Sequence, residues 1–299
     1  MSLPKEIEII EVGPRDGLQN EPTQIPTPLK VELIERLANA GLRTIEVTSF
    51  VSPKWIPQLC DGETVFSTIH KHPHVRYPVL IPNRQGLERA LKVHVKEIAI
   101  LSAASETFSK KNTHCSIQES FIRNQEILTL AIQNQIKVRG YISCSLGCPY
   151  EGKILPKTVV SIAEKLISMG CHEISIGDTI GVATPKQAQH LIKMLAEIIP
   201  LKRLTIHFHD TYGQALANIY ACLEAGIQRI DSAISGLGGC PYAKGASGNV
   251  ATEDVVYMLE GLGLKTGIDL EALVKISEFC AKMTGRPPRS KVSQARLGL

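Results

Sequence analysis

Two histidines one residue apart, His207 and His209, hold the clearest chemical promise in this sequence. On an extended strand that spacing sends both imidazoles to one face. Such a pair can hold a divalent cation, although two hydrogen-bonded core residues would show the same spacing. A carboxylate sharpens the choice. Asp16 stands in Gly13-Pro14-Arg15-Asp16-Gly17, directly after a β-branched run, and Asn249 closes a glycine-rich stretch and offers a neutral oxygen. Two imidazoles, one carboxylate, one amide and open positions suit an octahedral Mg2+ or Mn2+. A structural zinc would want thiolates or a closed tetrahedron, which this set does not offer. Taken alone, Asp16 would be no more than a turn or cap residue beside Gly17.

Arg15 needs an anionic partner if it is buried. Glu46 or Asp178 would serve structurally, and a substrate carbonyl or developing enolate would serve functionally. Cys240 lies at the centre of the stretch 236–249, which contains five glycines. On a loop over an active face, a thiol there can donate or accept a proton; otherwise it is an incidental small residue of a turn. The catalytic candidates are therefore Cys240, Arg15, Asp16 and His207. The other cysteines, among eight in all, suit small buried positions, with Cys144 and Cys148 closest to the candidate site. His70, His72 and His74 resemble a metal tract but precede a strand, where a solvated turn is expected.

These residues need a frame that gathers them. The sequence alternates short β-branched runs with longer amphipathic ones. Strands are expected over 6–12, 43–49, 76–81, 96–102, 137–144, 172–177, 203–209 and 228–235. Helices are expected over about 28–41, 59–71, 84–93, 116–135, 157–170, 185–199, 212–226 and 251–262, with another at 269–284. Gly41, Gly170 and Gly226 mark left-handed helix ends, and Pro156 and Pro185 mark helix starts. Val159, Ile162, Ala163, Leu166 and Ile167 recur at helical spacing and should face the sheet. Eight βα units without a linker predict one (β/α)8 TIM barrel over 1–299, with a C-terminal helical extension from about 267; a doubly wound open sheet is the alternative. The stretch 286–299 reads as a loosely held tail. The unusual polar residues fall at strand C-terminal ends, which form the active face of a barrel. Closure would also bring strand one, and Asp16 with it, beside strand eight.

Composition narrows the function classes. The 299 residues are 43% hydrophobic and 21% charged, with net charge +4. No dense Lys/Arg run interleaved with aromatics suggests a nucleic-acid groove. No run of about 18 apolar residues suggests a membrane span. The start Met-Ser-Leu-Pro-Lys-Glu reads as neither signal nor transit peptide, and the chain ends Leu-Gly-Leu. A reduced, cytoplasmic setting is expected.

Five segments carry a wider resemblance: residues 12–21 (VGPRDGLQNE), 49–58 (SFVSPKWIPQ), 177–182 (GDTIGV), 207–218 (HFHDTYGQALAN) and 236–254 (GLGGCPYAKGASGNVATED). Together they make the sequence similar to the hydroxymethylglutaryl-CoA lyases along nearly its whole length. The His-x-His and Gly-Asp-Thr segments also resemble acyl-CoA condensing enzymes, whereas the Gly-Gly-Cys-Pro-Tyr-Ala loop favours the lyase branch. The resemblance implies a dimeric barrel enzyme that uses Mg2+ or Mn2+ to split 3-hydroxy-3-methylglutaryl-CoA into acetyl-CoA and acetoacetate. Asp16, His207, His209 and Asn249 carry over as metal ligands, Arg15 as the carbonyl or enolate clamp, and Cys240 as acid/base. Glu46, Asp178 and Glu253 carry over as supporting groups. Arg15, Gln19, Glu46, Tyr141, Ser175 and Thr179 form the candidate substrate-binding set. A base for the substrate hydroxyl would be His207 or Asp16. A condensing synthase, a lyase for a longer branched acyl chain and a non-catalytic CoA-binding protein stand as rivals.

Overall fold

The computed structural model describes residues 3–239 and 248–299. Its strands are β1 (Glu8–Glu11), β2 in two segments (Thr44–Ile45 and Thr48–Ser49), β3 (Val79–Leu80), β4 (Glu97–Ala103), β5 (Lys137–Ser143), β6 (Glu173–Asp178), β7 (Leu204–Phe208) and β8 (Arg229–Ser232). Every neighbouring pair is parallel. The two halves of β2 explain closure. The first half pairs with β1 and the second with β3. Between them the Glu46 amide donates to the Glu11 carbonyl at 2.8 Å, and the Val47 amide donates to Pro78 on the other side at 3.0 Å. One extended run thus bonds to both ends of the sheet and closes an eight-stranded barrel.

The helices are α1 (Thr27–Asn39), α2 (Gly62–Thr68), α3 (Arg84–Lys92), α4 (Glu106–Thr113), α5 (Ile117–Gln133), α6 (Pro156–Met169), α7 (Pro185–Ala196), α8 (Ala215–Glu224), α9 (Thr252–Gly261), α10 (Leu270–Thr284) and α11 (Lys291–Leu297). In α6 the spacing of Val159, Ile162, Ala163 and Leu166 puts one stripe in the core. Each such large aliphatic side chain contributes roughly 1.5–3 kcal/mol. Pro156 opens the helix, where a missing N–H costs nothing, and Gly170 ends it at φ 115°. At the start of α5, Ser116 and Glu119 form a reciprocal capping box. Among the described residues no helix is long and apolar enough to cross a membrane.

Two elements differ from expectation. The short helix α4 was not anticipated. Its N-cap Ser105 accepts from the Phe108 amide at 3.1 Å, and its turns hold too few apolar residues to betray a period. The C-terminal stretch is docked rather than loose. Asp254 on α9 accepts from the Ser290 hydroxyl and from the amides of Lys291 and Val292. Ser293 donates to buried Glu253 at 2.9 Å, and Arg289 donates to the Gly238 carbonyl at 2.6 Å. Polar side chains hold this tail down, so its hydrophilic composition is the means of attachment.

The barrel interior is polar. By register, Arg139 and Tyr141 of β5 lie beside Glu173 and Ser175 of β6, and His207 of β7 lies beside Asp231 of β8. A typical barrel fills this space with Val, Ile and Leu.

Deleting residues 286–299 should remove at least about 2 kcal/mol, because several partly buried hydrogen bonds are lost at roughly 0.5–1.5 kcal/mol each. That corresponds to a fall in Tm of roughly 4–8 °C. A thermal melt unchanged from that of the full chain would show that the tail is not docked.

Candidate active site

At the end of β1 the chain makes a single wide turn, Gly13–Gly17, of the π type. Turns of this kind re-aim side chains and recur at functional sites. Glycine is required at both ends by close approach. A Cβ on Gly13 would sit 2.5 Å from a Glu11 carboxylate oxygen, and one on Gly17 would sit 2.8 Å from the Cβ of Leu237. The turn presents Arg15 and Asp16 to the barrel mouth. The Arg15 guanidinium donates to Asp16 Oδ1 at 2.7 Å and to Glu46 Oε2 at 2.9 Å. The Tyr141 hydroxyl donates to the same Glu46 oxygen at 2.9 Å, and Arg15 stands 5.5 Å from the Tyr141 ring centroid. Arg15 Nε is buried and has no hydrogen-bond partner among the described residues.

His207 lies at the end of β7 and His209 just beyond it. Asn249 reaches them because residues 248–250 pair with this strand end: Asp210 N donates to Gly248 O at 2.9 Å, and Val250 N to Phe208 O at 3.1 Å. One ligand atom each from Asp16, His207 and His209 all lie within 4.8 Å of one another. Asn249 joins them by donating from Nδ2 to Asp16 Oδ2 at 2.7 Å and to the Leu237 carbonyl at 3.2 Å. That leaves Oδ1 as its lone-pair atom.

The protonation states suit a cation. Burial alone would raise the Asp16 carboxyl, but Arg15 and the two imidazoles outweigh it and hold the group well below the usual carboxylate range. Burial, reinforced by His207 and Arg15, pushes His209 down to about 4, so its ring is neutral. An anionic carboxylate beside a neutral imidazole is the form in which both bind a metal. His209 Nδ1 is buried with no hydrogen-bond partner among the described residues, and His207 Nε2 lies 3.8 Å from Asp16 Oδ2, too long for a hydrogen bond. These donors therefore fit a shared cation better than they fit one another.

A cavity of about 590 Å3 opens above this cluster. Arg15, Asp16, Gln19, Tyr141, Thr179, His207 and His209 line it. Gln19 Oε1 is buried there without a hydrogen-bond partner among the described residues. Thr179 also accepts from the Cys144 amide at 2.8 Å. Glu46 and Ser175 lie behind the wall: Glu46 receives Arg15 and Tyr141, and the Ser175 hydroxyl donates to Asp231 at 2.9 Å. Asp178 orders the turn after β6 through the amides of Val182 and Ala183. Burial raises it to about 6 despite those bonds. A larger cavity of about 880 Å3 lies at the opposite end of the barrel. Two of its arginines close on carboxylates there, Arg76 on Glu8 and Glu97, and Arg229 on Glu8 and Glu173.

Cys240 lies outside the described residues. The flanks of its loop are anchored from below. Glu11 accepts from the amides of Gly13 and Ile234 and from the Thr252 hydroxyl, and Glu253 accepts from the Ser235 amide. Burial raises both carboxyls to about 7, each bond lowering its group only in part. Glu11, Arg139 and Asp231 had not been singled out from the sequence. The available signal was a charged residue inside a β-branched run, which only a partner in another strand can explain.

Comparison with known proteins gives the chain its relatives. The HMGL-like family matches residues 6–280. The cytoplasmic 3-hydroxy-3-methylglutaryl-CoA lyase of Rattus norvegicus is 54% identical over 293 residues, covering 98% of this chain and 85% of its own. The crystal structure of hydroxymethylglutaryl-CoA lyase from Pseudomonas aeruginosa superposes with a TM-score of 0.97 at 52% identity, covering 100% of this chain and 99% of that one. An HMG-CoA lyase from Acenitobacter baumannii, solved with coenzyme A and 3-methylmalate, gives 0.95 at 40% identity, covering 99% and 96%.

Two outcomes follow. Mn2+ at about 100 times its Kd should stabilise the protein by about 2.7 kcal/mol, a rise in Tm of roughly 5–10 °C. Asp16→Asn should abolish that rise, and an equal rise in the variant would place the ion elsewhere. The second concerns pH. The folded protein keeps the Glu11 and Glu253 protons up to about 7, while an unfolded chain releases them near 4.5. More protons are then bound in the native state, so stability falls as pH rises through that window. His209 acts in the opposite direction, but only below 6.5. Tm should therefore fall between about pH 6.5 and 7.5, and Glu253→Gln should shrink the fall. A profile identical in both proteins would contradict the assignment.

Proposed function

This chain belongs to the HMGL-like family, and we propose that it cleaves 3-hydroxy-3-methylglutaryl-CoA into acetyl-CoA and acetoacetate by a retro-Claisen reaction. It is a carbon–carbon lyase acting on that thioester. One observation carries the reading: Asp16, His207 and His209 converge within 4.8 Å, with Arg15 bonded to Asp16 at the edge of the cluster.

A divalent cation, Mg2+ or Mn2+, would be held by Asp16, His207, His209 and Asn249 and would supply a Lewis acid that favours loss of the substrate's hydroxyl proton. That proton would pass to Asp16 or His207, each a weakened base while its lone pair is committed to an ion. Arg15 faces the thioester end. When the C2–C3 bond breaks, its electrons pass to C2 and onto the thioester oxygen, where a fixed guanidinium stabilises the enolate. Glu46 and Asp16 fix the guanidinium in two directions, so it needs no reorganisation as charge develops. Cys240 then delivers a proton to C2. Gln19, Tyr141 and Thr179 line the substrate cavity, while Glu46 and Ser175 support it from behind. A coenzyme A moiety suits a mouth that also presents Trp55, Lys111 and Arg123, apolar and cationic groups matched to a nucleotide with phosphates. A cytoplasmic location and a homodimer complete the reading. The first suits the thiols of Cys60, Cys115, Cys148, Cys171, Cys222 and Cys280, which form no disulfide among the described residues.

The purified protein should release acetoacetate from 3-hydroxy-3-methylglutaryl-CoA with Mg2+ or Mn2+ and lose that activity after chelation. Cys240→Ser should lower kcat by about 10²–10⁴-fold with Mn2+ affinity unchanged. Full turnover in the chelated protein would overturn the metal reading, and an unaltered kcat in the variant would remove the thiol from the reaction.

A further inference from the structure

Below the cation ligands the barrel buries a second cluster that no step of the reaction uses. Asp231 of β8 is 1% exposed and receives donors from three strands. Arg139 Nη2 from β5 donates to both carboxylate oxygens, at 2.6 and 2.7 Å. Ser175 from β6 donates to Oδ2 at 2.9 Å. The same Oδ2 lies 3.2 Å from His207 Nδ1, on the side of the imidazole away from Asp16.

Hydrogen-bond chemistry fixes the sense of that last contact. Arg139 donates to both carboxylate oxygens and Ser175 to one, so Asp231 stands as an ionised carboxylate and an acceptor only. Two bare lone pairs at 3.2 Å would repel, so Nδ1 must carry the proton. In the neutral ring the lone pair then sits on Nε2, which faces Asp16 at 3.8 Å. A bonded carboxylate also makes an imidazole a stronger ligand and locks its plane.

We infer that Asp231 is a positioning residue: it fixes His207 in the Nδ1–H tautomer and aims Nε2 at the cation, and Arg139 and Ser175 hold Asp231 in place for that task. The inference rests on the metal-dependent reading above. The competing account makes Asp231 only a counter-charge for Arg139, with no effect on the imidazole.

Two measurements decide between them. The first reads the wild-type protein. In metal-free protein labelled with 15N-histidine, at about pH 8 and therefore above the ordinary imidazole range, His207 should show a protonated Nδ1 and a bare Nε2. The signal is assigned by its loss in His207→Asn. A proton on Nε2 overturns the inference. The second is Mn2+ binding followed by electron paramagnetic resonance. Asp231→Asn should bind Mn2+ about 10- to 100-fold more weakly than the wild type. Adding Arg139→Met removes the unpaired cation. If Asp231 acts through His207, the double variant stays weak; if it only neutralises Arg139, affinity returns. Equal affinity in wild type and Asp231→Asn also overturns the role. A wild-type protein that binds no Mn2+ would instead sink the metal reading itself.

Discussion

A charge buried inside a closed barrel must find its opposite there, and that constraint organises this molecule from floor to mouth. Removing one member of a buried pair costs about 3–5 kcal/mol, because the remaining charge stays desolvated and alone. Arg76 and Arg229 share Glu8 at the floor, and each reaches a further carboxylate, Glu97 or Glu173. Arg139 joins Glu173 to Asp231 at mid-height. Asp231 meets His207, and Arg15 bridges Asp16 and Glu46 at the top. The signs alternate along this column. The floor is thereby tied to the mouth by electrostatics where other barrels use aliphatic packing.

The column delivers its upper members in defined states. Asp16 is ionised because Arg15 and two imidazoles surround it, and His209 is neutral because burial and neighbouring cations disfavour its proton. Asp16 and His209 are thus in the protonation states that bind a cation. A second support runs outside the strands. Glu11, Glu253 and the docked tail hold both flanks of the glycine-rich loop, through Ile234, Ser235, Gly238 and Thr252. The flanks are anchored by buried carboxyls.

Much of this was legible in the sequence because its periods are strong. Eight strand runs and the long helices follow from β-branched clusters and from stripes such as Val159, Ile162, Ala163 and Leu166 in α6. His207, His209 and Asp16 were visible because strand-end polar residues have no packing reason to be there. Asp231 and Arg139 escaped notice because each looks like an isolated charge in an apolar run; their meaning lies in a contact 92 residues apart in the chain. The tail was misjudged for a related reason. Its serines and Arg289 read as solvent-facing until Glu253, Asp254 and Gly238 are seen beneath them. Helix α4 is short and polar, and only its Ser105 cap marks it.

The central claim is that Asp16, His207 and His209 meet on one ion at the barrel mouth. Crystals grown with Mn2+ and measured near the manganese absorption edge test it most directly. The account predicts one strong anomalous peak at about 2.0–2.3 Å from an Asp16 oxygen and from one nitrogen of each histidine, with the Asn249 oxygen also within reach. A fully occupied ion bound elsewhere, with these three side chains turned away from one another, would contradict it.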